Sequence, residues 1–143
     1  MHIPVKVDYG VRALVDLAQH QGSGPSRSAD IARRQFIPEA FLDRLLLTMS
    51  KAGLVSSQRG PLGGHALAQD PAQISLGAVM AAMGETDTLV GCLDDPSACS
   101  ISPACSQRDI WREVEEAVHQ VLDNTTIADL VRRLGDREPV QAG

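Results

Sequence analysis

The three cysteines of this 143-residue chain lie close together, at Cys92, Cys99 and Cys105, with the spacing C-x6-C-x5-C. Thiolates bind zinc and iron-sulfur clusters, so three of them converging from one loop could hold a metal ion or a cluster. Structural zinc prefers closer pairs and four ligands, so a fourth ligand would have to come from another residue or from a small molecule. The spacing therefore indicates a metal or cluster site, with three inert or redox-reactive thiols as the alternative.

The segment that carries the cysteines, residues 84–105, has no helical or strand periodicity and contains two glycines and two prolines. We interpret it as a loop that is either ordered by a ligand or flexible. The chain has no apolar run of membrane-spanning length and no secretory signal, so we expect a cytoplasmic protein without membrane contact. In that reducing compartment a disulfide is the less favoured use of the thiols.

Charge divides the chain into two unlike halves, although its formal net charge is only -5. Residues 1–66 hold eight Lys and Arg against five Asp and Glu, whereas residues 67–143 hold five against thirteen. This asymmetry suggests that the first half meets a polyanion such as DNA. A chance excess of surface acids in the second half is the alternative.

The elements that would position these residues are mainly helical. Apolar spacing predicts a helix over 5–20, and after a Gly/Pro turn a short basic helix ending at Gln35. A third helix is predicted from Pro38 until Gly53 stops it, which completes helix-turn-helix spacing. Residues 54–59 and 65–67 are then predicted to form two strands around a hairpin tip at 60–64, which is a wing.

After the wing, a short helix is predicted over 75–83 and a long helix over 106–122. The long helix has an apolar seam that needs a partner helix, so we assign it to dimerisation through Ile110, Trp111, Val114, Val118 and Val121. The segment TIAD at 126–129 resembles a capping box for a last helix ending at Leu134.

The predicted fold is mainly α with a small β-hairpin wing. Its parts are a winged helix-turn-helix domain (1–83), the cysteine loop (84–105), the dimerisation helix with a final short helix (106–135) and a disordered tail (136–143).

A helix lying in the major groove contacts base edges from its first turns, while basic and backbone groups hold the phosphates. The predicted base-facing residues are Glu39, Ala40, Asp43 and Arg44. In the wing, Arg59 can enter the minor groove or bind phosphate, and Gly60, Gly63 and Gly64 allow close backbone approach. The alternative is that these helices are ordinary surface helices of a bundle. We find no catalytic triad, phosphate-binding loop or carboxylate pair, so no enzymatic activity is predicted.

The sequence resembles the BadM-like, Rrf-type winged helix-turn-helix transcription regulators, including the IscR/NsrR-like iron-sulfur regulators. The resemblance covers nearly the whole chain. Its carriers are DYGVRAL at 8–14, IA at 31–32 before IP at 37–38, KAGLV at 51–55, the RG and GG pairs of the wing at 59–60 and 63–64, and the three-cysteine loop.

The resemblance implies a homodimer that binds a palindromic operator in double-stranded DNA and holds an iron-sulfur cluster near its interface. In cluster-binding members the fourth ligand is a histidine soon after the last cysteine, or an acidic residue of the first helix of the other subunit. Gln107 occupies the histidine position here, whereas Asp8 matches the acidic option; an Asp favoured by the helix dipole is the competing interpretation of Asp8. We therefore favour a 4Fe-4S cluster and keep 2Fe-2S as the alternative.

The function implied is a sequence-specific repressor that senses iron, redox state or nitric oxide through its cluster. One alternative is a clusterless Rrf-type repressor that uses thiol oxidation or a partner protein as its signal. A small metalloenzyme is a remote alternative. The wing carries His65 where the family commonly has tyrosine, so family contacts at this position are not carried over unchanged, although we include His65 among the expected DNA contacts.

Overall fold

A computed structural model describes residues 2–85, 97, 100–101 and 104–136 of the chain. Within them, six α-helices and one β-hairpin follow one another in this order: α1 (Val5–Gln19), α2 (Ser28–Gln35), α3 (Glu39–Lys51), β1 (Val55–Gln58), β2 (Gly64–Leu67), α4 (Leu76–Ala82), α5 (Arg108–Asn124) and α6 (Ile127–Gly135). Single 3-10 turns precede α2 and α4, at Gln21–Ser23 and Pro71–Gln73. The expected mainly helical fold with a two-stranded wing is confirmed.

The core surrounds α1, which packs against α2, α3, α4 and α6. The apolar positions of α1 recur with the helical period, so Leu14 and Leu17 turn inward together, and Leu14 is completely buried. Each such side chain contributes roughly 1.5–3 kcal/mol by leaving water. Among the described residues, the buried core side chains are leucine, isoleucine, valine, methionine and alanine, and Tyr9 and Phe41 pack against them while partly exposed.

Helices α2 and α3 are joined by a short connection in which Phe36 has a left-handed backbone, with φ 56° and ψ 44°. The N–H of Ile37 then donates to the carbonyl of Ala32 at 3.0 Å, and Ile37 is buried. Pro38 lies just before α3 rather than within its first turn, so the helix starts one residue later than the sequence predicts. This tight junction fixes α3 across α2.

The wing is an antiparallel hairpin in which Val55 pairs with Leu67 and Gln58 pairs with Gly64. Its second strand also pairs with the segment before α2, where Ser26 and His65 exchange backbone hydrogen bonds of 2.9 and 2.7 Å. The sequence contains no periodic signal for this extra pairing. The pairing of Ser26 with His65 attaches the wing to the helix-turn-helix on the side where α2 begins.

The two C-terminal helices meet the rest of the fold at different places, α5 at α4 and α6 mainly at α1. Gly77 of α4 lies against Asp123 of α5 so closely that a Cβ at this position would overlap the carboxylate. The predicted capping box is confirmed, since Thr126 and Asp129 exchange hydrogen bonds at the start of α6. The long helix runs over Arg108–Asn124, two residues later than predicted, and none of its residues is buried.

Two of the residues predicted to act in the protein lie outside the described ranges. Cys92 and Cys99 lie outside the described residues, and so does the tail from 137 to 143. The proposed division of the chain at residues 83, 105 and 135 stays a prediction.

Candidate nucleic-acid interface and cysteine segment

One side of α3 is exposed and the opposite side is in the core. At 100° per residue, the side chains that face outward share one arc of the helix. The four predicted base-facing residues all lie on this exposed side, and Leu47 extends it by one turn with 57% of its surface exposed. We call this set the recognition face: Glu39, Ala40, Asp43, Arg44 and Leu47.

A stack of rings and guanidinium groups connects α1 to the recognition face. The Arg12 guanidinium lies 5.2 Å from the centre of the Tyr9 ring, and Tyr9 meets Phe41 edge-to-face at 5.7 Å between ring centres. The Arg44 guanidinium in turn lies 5.5 Å from the centre of the Phe41 ring. Such contacts each stabilise by roughly 0.5–1.5 kcal/mol, so they limit the orientations of Arg44.

A polar groove separates the wing from the helix-turn-helix. Arg27 crosses it, because its Nη2 donates to the carbonyl of Pro61 at 2.6 Å. Gly60, Gly63, Gly64 and His65, all predicted DNA contacts, line the wing side. The other side is formed by Arg27, Ser28, Ala29 and Glu39. The groove therefore brings most of the predicted wing contacts beside the first turn of α3, whereas Arg59 is exposed at the wing tip.

His65 faces this groove from β2. Its Nδ1 lies 2.8 Å from the hydroxyl oxygen of Ser57 across the hairpin. Burial lowers the pKa of His65, and the nearby Asp43 carboxylate opposes that shift by favouring the imidazolium. The ring is thus neutral in the free protein near pH 7, and the Ser57 pair orients it.

A buried carboxylate fixes α2 against α1. Asp16 is fully buried, and it accepts hydrogen bonds from Arg34 Nε at 2.9 Å, Arg34 Nη2 at 2.7 Å and Gln35 Nε2 at 3.0 Å. The hydrogen bond to Asp16 raises the pKa of Arg34. Arg34 also lies 3.4 Å from the Ser26 hydroxyl, in the segment that pairs with the wing. This pair therefore joins α1, α2 and the base of the wing.

Two of the four predicted cluster ligands lie within the described residues. Cys105 is a half-buried free thiol just before α5, and Asp8 is an exposed carboxylate on α1. Asp8 Oδ2 pairs with Arg12 Nη2 at 3.0 Å, and Arg12 Nη1 donates to the carbonyl of Gln35 at 3.3 Å. Across the described part of the chain, no three His, Cys, Asp or Glu side chains meet as a metal-binding group. Three thiolates and a carboxylate are nevertheless donor types suited to iron, whereas Gln107 is a poor iron ligand.

The apolar residues assigned to dimerisation lie on one side of α5. Ile110, Trp111, Val114 and Val121 are between 41% and 64% exposed, and Val118 is half-buried. A concave, wholly apolar surface is formed by Val114, Ala117, Val118, Val121 and Leu122. The row of apolar side chains along this 17-residue helix makes it a candidate contact surface. No helix in the described ranges is both long and apolar enough to cross a bilayer.

Arg27, Leu47 and Leu62 lie at this candidate interface and are not among the residues that the sequence predicts. Arg27 precedes α2 and carries only the general signal of a basic residue in the basic half. Leu47 follows two core leucines, and its outward position could have been found by projecting α3 at 100° per residue. Leu62 occupies the wing tip, where only the fold shows which way it points.

A helix-turn-helix with an exposed recognition face, a wing attached beside it and an apolar face on a long C-terminal helix define a winged-helix DNA-binding regulator. The Rrf2 family, described as an iron-dependent transcriptional regulator, matches residues 3–133, and the chain belongs to this family. It is 37% identical over 131 residues to the HTH-type transcriptional regulator IscR of Serratia proteamaculans (strain 568), covering 92% of this chain and 79% of that protein.

Solved structures agree with this assignment. CymR (YrzC), the global cysteine regulator of B. subtilis, superimposes with a TM-score of 0.80 at 31% identity, covering 93% of this chain and 98% of that one. IscR of T. potens has a TM-score of 0.76 at 32% identity, with coverages of 99% and 93%. The chain is a DNA-binding transcription regulator and not an enzyme, which removes the metalloenzyme alternative.

Proposed function

We propose that this chain is a homodimeric repressor whose affinity for a palindromic operator is set by an iron-sulfur cluster. Cys92, Cys99 and Cys105 would hold the cluster, with Asp8 of the other subunit as fourth ligand. Iron shortage, oxidants or nitric oxide can alter or remove such a cluster. The observation that carries the proposal is that Arg12 pairs with Asp8 and also donates to the Gln35 carbonyl, which links a candidate ligand to the junction of α2 and α3.

Operator binding is assigned to the recognition face and the wing. Arg44 suits a bidentate contact to guanine, while Asp43 or Glu39 can accept from a cytosine amine. The Phe41 ring restrains Arg44, so less conformational entropy is lost when it meets a base. Arg27 crosses the groove and Arg59 lies at the wing tip, and both are suited to phosphate or minor-groove contacts.

The signal would travel through Arg12. In the described structure the Asp8 carboxylate holds Arg12, and the same guanidinium reaches the last residue of α2 and the ring stack that ends at Arg44. Iron at the Asp8 carboxylate would compete with Arg12 for that group. Loss of the pair would free the Arg12 guanidinium at the turn between α2 and α3, so the two ligand states would differ in how α3 is held.

The first experiment is anaerobic purification followed by a visible spectrum with iron and sulfide assays. Wild type is compared with alanine variants at each cysteine and with Asp8→Ala. Asp30→Ala is the matched control, because Asp30 is also an exposed first-turn acid paired with an arginine. We expect a coloured wild type, loss of iron in the cysteine variants, a changed spectrum in Asp8→Ala and no change in Asp30→Ala. An iron-free wild type that resists reconstitution would refute the cluster.

Coupling is tested by operator affinity with and without the cluster, using a duplex selected from a random pool. Couplings between sites are commonly about 5- to 150-fold. We expect Arg12→Ala to bring the ratio of the two affinities close to one while both forms still bind. An unchanged ratio would leave the cluster as sensor but exclude Arg12 as its link to DNA.

The likeness to CymR supports a second candidate, a clusterless repressor that responds to thiol oxidation or a partner protein. Cys105 is a free, half-buried thiol in the described structure. Under this alternative, mild oxidant changes the count of free thiols and the operator affinity of iron-free protein together. Mutation of the cysteines to serine would abolish that response.

A further inference from the structure

The tip of the wing presents a leucine to solvent on a fixed backbone. The N–H of Gly63 donates to the carbonyl of Gly60 at 3.0 Å, which closes a turn with Pro61 and Leu62 at its centre. Arg27 binds the Pro61 carbonyl from the helix-turn-helix side. Leu62 is 91% exposed, more than any other large apolar residue in the described ranges.

This exposure contributes nothing to the fold, because almost all of the Leu62 side chain remains in contact with water. A single exposed leucine is common on protein surfaces, but this one is carried at the end of a wing that Arg27 and the Ser26 pairing hold in place. Proline at the preceding position further limits the turn. A side chain held in this way is suited to contact a surface beyond the protein.

The surface that a wing reaches beside a bound major groove is the adjacent minor groove. There A·T and T·A pairs show only acceptors, whereas a G·C pair adds the N2 amino group of guanine on the groove floor. An apolar side chain over that amino group deprives it of water and offers it no acceptor, at a free-energy cost. A narrow, A·T-rich minor groove also attracts arginine side chains, and Arg59 lies three residues before Leu62.

We propose that Leu62 is a specificity-determining residue that makes the wing select A·T over G·C pairs in the minor groove flanking each half-site. This inference rests on the proposed DNA interface and adds a chemical basis for discrimination outside the major groove. It predicts that the excluded group is the guanine amino group and not any other feature of the G·C pair.

Inosine isolates that group, because an I·C pair has the major-groove acceptors and donor of G·C but lacks the N2 amino group. The probe is a duplex selected from a random pool by the wild-type protein, in which each flanking pair is set in turn to A·T, I·C or G·C. Affinities are measured for wild type, for Leu62→Ala and for Leu134→Ala, the same change at an exposed leucine of α6. Thermal unfolding confirms that all three fold.

At one or two flanking positions, we expect wild type and Leu134→Ala to bind the A·T and I·C duplexes equally and the G·C duplex about tenfold more weakly, within the loss typical of one wrong pair. In Leu62→Ala, the three affinities should agree within about twofold. An equal loss of affinity for all three duplexes in Leu62→Ala would overturn the inference and leave Leu62 as a nonspecific contact. A wild type that binds no duplex at low salt would instead refute the proposed DNA interface.

Discussion

Individual side chains show why the candidate site could be found in part from sequence. Glu39, Asp43 and Arg44 were placed correctly on the outer side of α3, because helical periodicity fixes which side is buried. Leu62 could not be assigned, because turn residues have no periodicity and their direction depends on contacts such as the one from Arg27. Periodicity thus predicts which side of a helix or strand is buried, whereas the orientation of turn residues depends on long-range hydrogen bonds.

Phe36 is the one described residue other than glycine with a positive φ, and it is 58% exposed. A left-handed backbone costs most residues roughly 1–2 kcal/mol, whereas asparagine tolerates it. We expect Phe36→Asn to raise the free energy of unfolding by about 0.5–1 kcal/mol, measured by urea denaturation.

Leu47→Asn is the control for this prediction, since Leu47 is similarly exposed but lies inside α3. Asparagine is a weaker helix former than leucine, so this change should lower stability by a few tenths of a kcal/mol. If both variants were destabilised, relief of backbone strain would not be what governs stability at Phe36.

Among the elements, α1 to α3 and the wing were predicted closely, and the pairing of the wing with Ser26 was not. Two-residue pairings leave no pattern in sequence, and this one depends on Asp16 and Arg34 bringing α2 to its place. Asp16 falls on the inner side of α1 among apolar residues, where an acid is unexpected. A buried carboxylate requires a hydrogen-bonding partner, but the sequence alone does not say which arginine provides it.

Removing Arg34 should destabilise the junction of α1 and α2. Arg34→Met leaves the buried Asp16 carboxylate with the Gln35 hydrogen bond and with His20, whose Nδ1 lies 3.7 Å from Oδ1. We expect a loss of about 2–4 kcal/mol in urea denaturation. Arg33→Met is the matched control, because Arg33 is 70% exposed and its pair with Asp30 is 3.5 Å long. That change should cost less than about 0.5 kcal/mol.

The double variant Asp16→Leu with Arg34→Met separates a buried charge from a general defect. Replacing a buried pair by apolar residues is often close to neutral, so the double variant should be more stable than Arg34→Met alone. A double variant as unstable as the single one would show that packing around Arg34, and not the unpaired carboxylate, causes the loss.

For the whole molecule, the basic half carries the helix-turn-helix and wing, and the acidic half carries α5. Phosphate repels the acidic half, so the charge distribution favours approach with the recognition face toward DNA despite the net charge of -5. The apolar face of α5 then remains available to a second copy. A dimer joined there presents two recognition faces, as a palindromic operator requires.

This assembly predicts that a single charge on the α5 face separates the subunits and weakens operator binding. Val114 is 42% exposed and lines the apolar concave surface of α5, so Val114→Asp would bury a carboxylate in the interface. We expect a dimeric wild type and a monomeric variant in sedimentation at micromolar concentration. Affinity for the palindrome should fall at least about a hundredfold, because each half-site is then bound alone.

Gln120→Asp adds the same charge at an exposed position of α5 outside the apolar concave surface, and it should leave both the dimer and the affinity unchanged. If the α5 face joins two subunits, sedimentation and binding change together, because the avidity of two linked half-sites depends on the dimer. A Val114→Asp protein that stays dimeric would place the interface elsewhere. A monomeric variant with wild-type affinity would mean that one winged helix suffices for the operator.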